Sequence, residues 1–277
     1  MVIAAALLLL AGAQRIVSTA PSVTEMLYAL GLGDRVVGVT TFCHYPPEAA
    51  QKPKIGDYLR PNLESIVALK PDLVVFEATG IRRAERLPAL KLNVLEVDDG
   101  TLAGIYDSIR KIGAAAGVSE RAAALCGRMQ AALADIRCRT AASPRRRMMF
   151  VAGRAPGRLE DLIVVGRGSH LNELMSIAGA DNAFGDVGAA YAKVSVEQVL
   201  ARNPEVIVDM GEMAQTEGVT EGQKRAVVAL WERQPPLAAV RARRVFAVAS
   251  DIFVVPGPRV VEAARELARM AHPEELR

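Results

Sequence analysis

The stretch NLESIVALKPDLVV, from Asn62 to Val75, returns in altered form as SVEQVLARNPEVIV, from Ser195 to Val208. The offset is 195 − 62 = 133 residues, and it aligns Glu64 with Glu197. In both stretches an amphipathic segment with an acidic first turn is followed by proline and an apolar run. Proline ends a helical pattern, and a short apolar run is typical of a buried strand. Each half of the chain is therefore predicted to contain the same helix–proline–strand unit.

Apolar strand patterns and amphipathic helical patterns alternate on both sides of one long central segment. RVVGVT, DLVVF and NVLEV are strand patterns of the first half, and the alternation restarts at RRMMFVAG. Such alternation is typical of parallel sheets covered by helices. The central segment, from Ser119 to about Ala142, carries an apolar stripe at helical spacing and ends at Ser143-Pro144.

These patterns predict an α/β fold of two Rossmann-like lobes with parallel-rich central sheets, joined by one long rigid α-helix. We expect an N-terminal lobe over 14–117, a linking helix over 118–143 and a C-terminal lobe over 144–277.

Local signals predict where several helices begin and end. Ser22, with Glu25 three residues on, predicts a capping box, and Gly31 predicts the end of that helix. His170, near the start of a later helix, is expected to be solvated.

The first residues, MVIAAALLLLAGA, combine an apolar run with the small-x-small sequence Ala11-Gly12-Ala13. This pattern predicts a secretory signal peptide over 1–13, cleaved after Ala13, and hence a periplasmic protein. The run is shorter than the roughly 20 residues that span a bilayer. A buried first strand is the alternative, although an Ala/Leu run is a poor strand former.

Composition excludes some classes of partner. The 277 residues are 51% hydrophobic, enough for two cores, and the net charge of +3 is too small to indicate a nucleic acid or an anionic membrane. The three cysteines are an odd number. Cys126 and Cys138 lie on one predicted helix about 18 Å apart, too far for a disulfide. No CxxC or Cys/His cluster with zinc spacing occurs, so we expect no metal site.

No catalytic motif stands out. G-x-S-x-G and H-E-x-x-H are absent, and Gly166-Arg167-Gly168 is better explained as a turn than as a phosphate loop. His44, beside Cys43, is a candidate metal ligand, although a lone histidine is more often structural. We therefore expect no catalytic residues, no cofactor and no enzyme activity.

Longer strings carry a family resemblance. RIVSTAPSVTEMLYALGLGDRVVGVTTFCHYPPEA and PKIGDYLRPNLESIVALKPDLVV resemble the N-terminal lobe of the ABC-importer substrate-binding proteins for cobalamin, ferric siderophores and haem. YAKVSVEQVLARNPEVIV and SDIFVVPGPRVVEAA resemble their C-terminal lobe. The resemblance covers nearly the whole chain after residue 13. It implies a class III periplasmic binding protein that works as a monomer, holds a metal chelate between its lobes and delivers it to an inner-membrane permease/ATPase complex.

The resemblance also implies roles for individual residues. Glu64 and Glu197 match the acidic residues that dock onto permease arginines; the alternative is that each only stabilises its helix start, by about 0.3–1 kcal/mol. Asp251 matches an acidic ligand contact of cobalamin-binding members, and Tyr58 and Tyr191 stand where those members carry tryptophan. The full set of expected ligand-binding residues is Phe42, Tyr45, Tyr58, Glu77, Tyr191, Asp251, Ile252 and Val255.

The aromatic members of this set favour a corrinoid, because flat faces bury a macrocycle, but Glu77, Ile252 and Val255 depart from the family's usual residues. An anionic ferric siderophore would instead use arginines, of which the candidates are Arg60, Arg82, Arg83, Arg154 and Arg158. Haem would use His44, Tyr45 or Tyr58 as axial ligand. A third possibility is an enzyme or metallocluster protein on the same scaffold, which would need clustered cysteines or histidines.

Overall fold

In the computed structural model, residues 12–57, 60–77, 92–211 and 218–274 are described. The signal peptide expected over 1–13 lies almost wholly outside these ranges. The chain divides into two compact units. Unit 1 extends to Gln130 and includes Pro256–Pro258, and unit 2 comprises Ala131–Val255 and the chain from Arg259 onward.

Unit 1 contains a four-stranded parallel sheet in the order β2-β1-β3-β4. Its apolar core includes Val17, Ile55, Ile66 and Val74. The elements described in this unit are β1 Ile16–Ser18, α1 Pro21–Ala29, β2 Val36–Gly38, α2 Pro47–Ala50, α3 Leu63–Ala68, β3 Leu73–Glu77, β4 Val94–Val97 and α4 Leu102–Ala115.

A 22-residue helix, α5 (Ser119–Thr140), follows α4. The predicted apolar stripe is present, since Leu125, Met129, Leu133 and Ile136 are buried. The boundary between the two units, after Gln130, falls inside this helix.

Unit 2 contains a six-stranded sheet. Five strands follow the order β10-β9-β5-β6-β8, and β7 pairs with β5. The core around Trp231 and Phe184 lies against this sheet. The elements are β5 Arg146–Gly153, β6 Leu162–Val165, α6 His170–Ile177, β7 Ala180–Asn182, β8 Tyr191–Val194, α7 Val196–Arg202, β9 Val206–Asp209, α8 Glu221–Glu232, α9 Ala238–Arg241, β10 Val245–Ala247 and α10 Val260–Ala271.

The predicted α/β fold with parallel-rich sheets is confirmed, with one difference in unit 2. Strands β7, β9 and β10 join β5 in a parallel arrangement, but β6 is antiparallel to both β5 and β8. Only eight residues separate Gly153 from Leu162, and none of them forms a helix. A connection that short permits an antiparallel neighbour, whereas a parallel one needs a longer crossover.

The two repeated stretches form the same structure in their own units. Asn62 caps α3 by accepting from Ser65 N, and Ser195 caps α7 in a capping box with Gln198. Both helices end in a left-handed residue before proline, Lys70 with φ 46° and Asn203 with φ 43°. The predicted helix–proline–strand unit is therefore present twice.

Each repeat is also anchored to the strand beside it by the same pair of residue types. In unit 1 the Asp72 carboxylate accepts a hydrogen bond from Arg15 N (2.9 Å), and the Arg15 side chain donates to the carbonyl of Lys70 (3.1 Å). In unit 2 the Glu205 carboxylate accepts from Arg147 N (2.9 Å), and Arg147 donates to the carbonyl of Asn203 (3.3 Å). Arginine and acid together fix where the helix ends and the strand begins.

Two local predictions are wrong. Helix α1 starts with Pro21 and its N-cap, Ala20, makes no side-chain cap hydrogen bond, so Ser22 and Glu25 do not form a capping box. Ser22 is buried and instead hydrogen-bonds with Asp99. His170 is 3% exposed rather than solvated. Gly31, by contrast, ends α1 in the left-handed conformation as expected, with φ 72°.

Candidate functional site

The carboxyl edge of the unit 1 sheet gathers three of the expected ligand-binding residues. Because its strands are parallel, the ends of β2, β3 and β4 meet at one edge, where open α/β sheets bind ligands. Phe42 and Tyr45 lie on the segment after β2 and are 55% and 44% exposed, and Glu77 ends β3. Tyr58 lies outside the described residues.

Asp99 lies at the same edge of the sheet. The sequence analysis does not include it among the candidate site residues. Burial raises the pKa of its carboxyl to about 7, with a further contribution from the negative charge of Glu77, while a hydrogen bond with Ser22 acts in the opposite direction. Asp98 and Asp99 directly follow the NVLEV strand pattern. An acidic pair at a strand end is the signal that could have found it.

Cys43 and His44 face different environments. The Cys43 sulfur is buried and within 3.1 Å of the hydroxyls of Thr24 and Thr40, so its thiol belongs to the core of unit 1. His44 is exposed. Within the described ranges, no group of three or more His, Cys, Asp or Glu side chains is placed to hold a metal ion.

In unit 2 the expected ligand-binding residues are divided between the two edges of the sheet. Tyr191 begins edge strand β8 and is 39% exposed, whereas Asp251, Ile252 and Val255 follow the opposite edge strand β10. Four strand spacings of about 4.8 Å separate β8 from β10, or about 19 Å. Tyr191 is therefore not beside the other three at the level of the sheet.

Asp251 already has a strong partner in unit 2. Arg259 donates to both of its carboxylate oxygens, from Nη1 to Oδ1 at 2.8 Å and from Nη2 to Oδ2 at 2.7 Å. This bidentate geometry is among the strongest for an ion pair. A ligand contact by Asp251 stays a prediction, and it would use a carboxylate whose charge Arg259 balances. Beside it Ile252 is half-buried and Val255 is buried.

Glu64 and Glu197 occupy equivalent places in their own units. Each is exposed in the first turn of a helix, α3 or α7, that runs from the carboxyl edge of its sheet back to the start of the next strand. A hydrogen bond with the Ser195 side chain lowers the pKa of Glu197, which keeps its carboxylate charged.

A cavity of about 520 Å³ adjoins Glu197 on the surface of unit 2. Glu160, Asp161 and Lys193 also border it. Lys193 and Asp161 form an exposed ion pair at 2.7 Å. Glu160 lies 3.7 Å from Arg158, so both of these neighbouring acids have a basic partner and Glu197 is the acid at this cavity without one among the described ion pairs.

The arginines considered for an anionic ligand differ in availability. The side chain of Arg154 is only 4% exposed, and its Nε donates to Asp209 Oδ2 at 3.0 Å. Arg60 and Arg158 are exposed, and Arg82 and Arg83 lie outside the described residues. No sequence pattern had indicated that Arg154 pairs with an acid 55 residues away.

Two α/β units with parallel-rich sheets, and exposed aromatics after β2 in unit 1, are typical of a ligand-binding protein. A profile of the periplasmic binding protein family matches residues 16–251. The chain belongs to this family, and the resemblance noted in the sequence is confirmed. The family binds ligands for transport, so the chain is the substrate-binding component of an ABC transporter and not an enzyme, as expected. No helix in the described part of the chain is long and apolar enough to cross a membrane.

Individual relatives agree with this assignment. The ABC transporter substrate-binding lipoprotein YvrC of Bacillus subtilis is 33% identical over 271 residues, covering 95% of this chain and 82% of YvrC. The crystal structure of the periplasmic vitamin B12 binding protein BtuF of Vibrio cholerae has a TM-score of 0.78 at 28% identity, covering 95% of this chain and 98% of that one. The periplasmic heme-binding protein RhuT from Roseiflexus sp. RS-1 has the same TM-score at 26% identity, covering 95% and 99%.

Proposed function

We propose that this substrate-binding protein captures a cobalamin-like corrinoid and delivers it to its membrane permease. The observation that carries the proposal is the set of exposed aromatic side chains, Phe42, Tyr45 and Tyr191. Each flat ring removes a large apolar area from water when a macrocycle covers it. The likeness to BtuF, whose name states vitamin B12 binding, supports the same cargo.

Calorimetric titration of the protein with cyanocobalamin tests the proposal. We expect saturable binding at one ligand per chain, weakened about tenfold by Phe42→Ala through loss of buried ring area. Val67→Ala removes another exposed apolar side chain, on α3, and is the matched control that should leave affinity unchanged. Absence of heat with cyanocobalamin, together with saturable binding of haemin or a ferric siderophore, contradicts the corrinoid proposal.

Haem is the second candidate, because exposed His44 stands beside Tyr45 and either side chain could ligate its iron. The likeness to RhuT supports this alternative. Titration with haemin would then give a shifted Soret band that His44→Ala or Tyr45→Phe changes. A Soret band that is the same in both variants and in the wild type would exclude His44 and Tyr45 as ligands of the iron.

We further propose that Glu64 and Glu197 dock the protein onto basic side chains of the permease. Two exposed carboxylates at equivalent helix starts suit a partner with two-fold symmetry.

Charge reversal at both positions tests docking. Glu64→Arg combined with Glu197→Arg should retain ligand affinity and abolish uptake by cells that contain the transporter. Glu120→Arg, at an exposed acid in the first turn of α5, is the matched control and should retain uptake. Uptake that survives the double reversal, or a double variant that loses ligand affinity, would overturn the docking roles.

We also propose that residues 1–13 are removed during export and that the mature protein works in the periplasm as a monomer. The proposal rests on the apolar run before Ala13. The intact mass of the protein recovered from the periplasm tests this. We expect the mass of a mature chain that begins at Gln14. An uncleaved chain that stays in the cytoplasm would contradict it.

A further inference from the structure

We propose that a buried network of hydroxyl and thiol groups positions the turn that carries Phe42, so that this turn keeps one shape before any cargo arrives. The network consists of Ser18, Thr24, Thr40 and Cys43, which all belong to unit 1 and are each 0% exposed. The inference rests on the proposed cargo function, because that function gives a fixed turn its purpose.

The turn follows strand β2 and combines buried ends with an exposed tip. Cys43 N donates to the carbonyl of Thr40 at 3.2 Å, which closes a four-residue turn with Phe42 at its third position. Phe42 is 55% exposed, and Tyr45, two residues after Cys43, is 44% exposed. Since much of each ring is in water, its position depends on the backbone beneath it. Thr40 and Cys43 hold that backbone.

The Cys43 sulfur joins the turn to helix α1 and strand β1. Thr24 Oγ1, on α1, donates to the sulfur at 3.1 Å, and the Thr40 hydroxyl also lies 3.1 Å from it. Thr24 shares a further hydrogen bond of 2.7 Å with Ser18 Oγ at the end of β1. Ser18 Oγ in turn donates to the carbonyl of Ala20 at 3.0 Å. Three separate segments of unit 1 therefore meet in one chain of hydrogen bonds.

The polar character of this network is more than packing requires. Apolar side chains of the same shape could fill the space, because replacing both partners of a buried hydrogen bond by apolar groups costs little. Apolar contacts are non-directional, however, whereas hydrogen bonds have a preferred geometry. The network lies where β2 has ended and no strand ladder directs the backbone. It therefore orients an irregular segment, which a ligand would not have to order on binding.

Alkylation of Cys43 by iodoacetamide tests the network on the full chain without cargo. The buried thiol reacts only when the turn opens, so its rate, read by peptide mass spectrometry, reports local opening. Thr24→Val keeps the shape of the side chain but removes the hydroxyl, and we expect it to accelerate alkylation about tenfold. Thr24→Ser keeps the hydroxyl and should stay close to the wild-type rate.

Two controls separate the turn from the rest of unit 1. Cys126 is 2% exposed in the same unit but lies on α5, outside the network, so Thr24→Val should leave its alkylation unchanged. Thr41→Val makes the same substitution at an exposed residue of the turn whose hydroxyl has no hydrogen-bond partner among the described residues, and it should leave Cys43 unchanged.

The inference is overturned if Cys43 reacts at the wild-type rate in Thr24→Val. Equal acceleration of Cys43 and Cys126 would also overturn it, because unit 1 would then have loosened as a whole. An equal effect of Thr41→Val would do the same, since the hydroxyl of Thr24 would have no special part.

Calorimetric titration with cyanocobalamin connects the network to the cargo. A turn fixed in advance should make Thr24→Val bind about tenfold more weakly at the wild-type stoichiometry, while Thr24→Ser retains the affinity. Equal affinity of Thr24→Val and the wild type, despite faster alkylation of Cys43, would overturn the positioning role. A wild type that binds no cyanocobalamin would instead contradict the corrinoid proposal, and the alkylation rates would still decide whether the network holds the turn.

Discussion

His170 shows how burial changes the chemistry of one residue. Its Nε2 has no hydrogen-bond partner within the described residues, and burial lowers its pKa from 6.5 to about 4. The sequence placed it beside a helix start, where a polar side chain is usually solvated. Burial depends on which elements pack over that start, and local pattern does not contain this information.

The lowered pKa predicts an acid-sensitive unit 2. The unfolded chain binds a proton near pH 6.5 but the folded chain only near 4, so stability falls as pH decreases through this window, by about 3 kcal/mol. Denaturant unfolding at pH 7 and pH 5 should show that His170→Leu loses this dependence. His44→Gln, at an exposed histidine, should keep the wild-type profile. An unchanged pH dependence in His170→Leu would contradict the prediction.

Single residues were predictable where the signal is local. Ser195 caps α7 as its spacing with Gln198 indicates, and Glu64 and Glu197 are exposed in first turns. The predicted capping box at Ser22 is wrong because Pro21 begins the helix. The Ser22 side chain instead hydrogen-bonds with Asp99, 77 residues away. Partners distant in sequence are the part of the candidate site that one sequence does not reveal.

At the scale of helices and strands, each repeated unit has a left-handed residue at the turn between its helix and its strand. We call this turn, Lys70-Pro71 in unit 1 and Asn203-Pro204 in unit 2, the corner of the unit. Lys70 adopts φ 46° at the end of α3, and Asn203 adopts φ 43° at the end of α7. Asparagine tolerates this conformation, whereas a lysine there pays a steric cost of about 1–2 kcal/mol. The corner in unit 1 therefore stores strain that the corner in unit 2 largely avoids.

Replacing Lys70 by glycine should relieve this strain. We expect Lys70→Gly to stabilise unit 1 by about 0.5–1 kcal/mol, since glycine's greater freedom in the unfolded chain offsets part of the gain. Thermal unfolding measures the change. Lys70→Ala removes the same side chain but keeps the Cβ, and should give no such gain. Equal stabilisation by both variants would show that strain at the backbone is not the cause.

Strand direction was the element-level feature that the sequence did not determine. The apolar run DLIVV predicts strand β6. The same run is compatible with a parallel or an antiparallel pairing to the neighbouring strand. The antiparallel pairing of β6 follows from its short link to β5 and from its pairing with β8. The parallel strands were predictable because helical patterns separate them.

Across the whole molecule, the two units contain buried ionisable groups of opposite kinds. Asp99 in unit 1 has its pKa raised from 3.8 to about 7, whereas His170 in unit 2 has its pKa lowered. For Asp99 the folded unit retains its proton longer than the unfolded chain does, so its contribution to stability is lost as pH rises from about 3.8 to 7. Asp99 therefore contributes more to the stability of unit 1 at acidic pH, and His170 contributes more to the stability of unit 2 near neutral pH.

Hydrogen exchange followed by mass spectrometry can observe each unit separately. After correction for intrinsic exchange rates, peptides of unit 1 should open more readily at pH 8 than at pH 5, and those of unit 2 more readily at pH 5. Asp99→Asn should remove the trend in unit 1. At pH 8 it should raise the free energy of unfolding of this unit by up to about 4 kcal/mol relative to the wild type. Units that respond to pH in the same direction would disprove this account.

The general architecture was predictable from the chain because it rests on repetition. The 133-residue echo and the alternating patterns indicate two α/β halves without knowledge of any contact. The sites were less predictable, because Asp99, Arg154 and Arg259 find their partners through folding. The sequence predicts a ligand contact for Asp251, and it does not indicate the ion pair that Asp251 forms with Arg259 in the structure.

The arginine and acid that anchor each repeat limit how the gene can change in length. Side chains alternate between the two faces of a strand, so one codon inserted between Pro71 and Leu73, or between Pro204 and Val206, would turn core residues outward. Such an insertion would also separate Asp72 or Glu205 from the backbone nitrogen it binds. Insertions and deletions tolerated over evolution should therefore collect in the loops beyond the strands and leave these two corners at constant length.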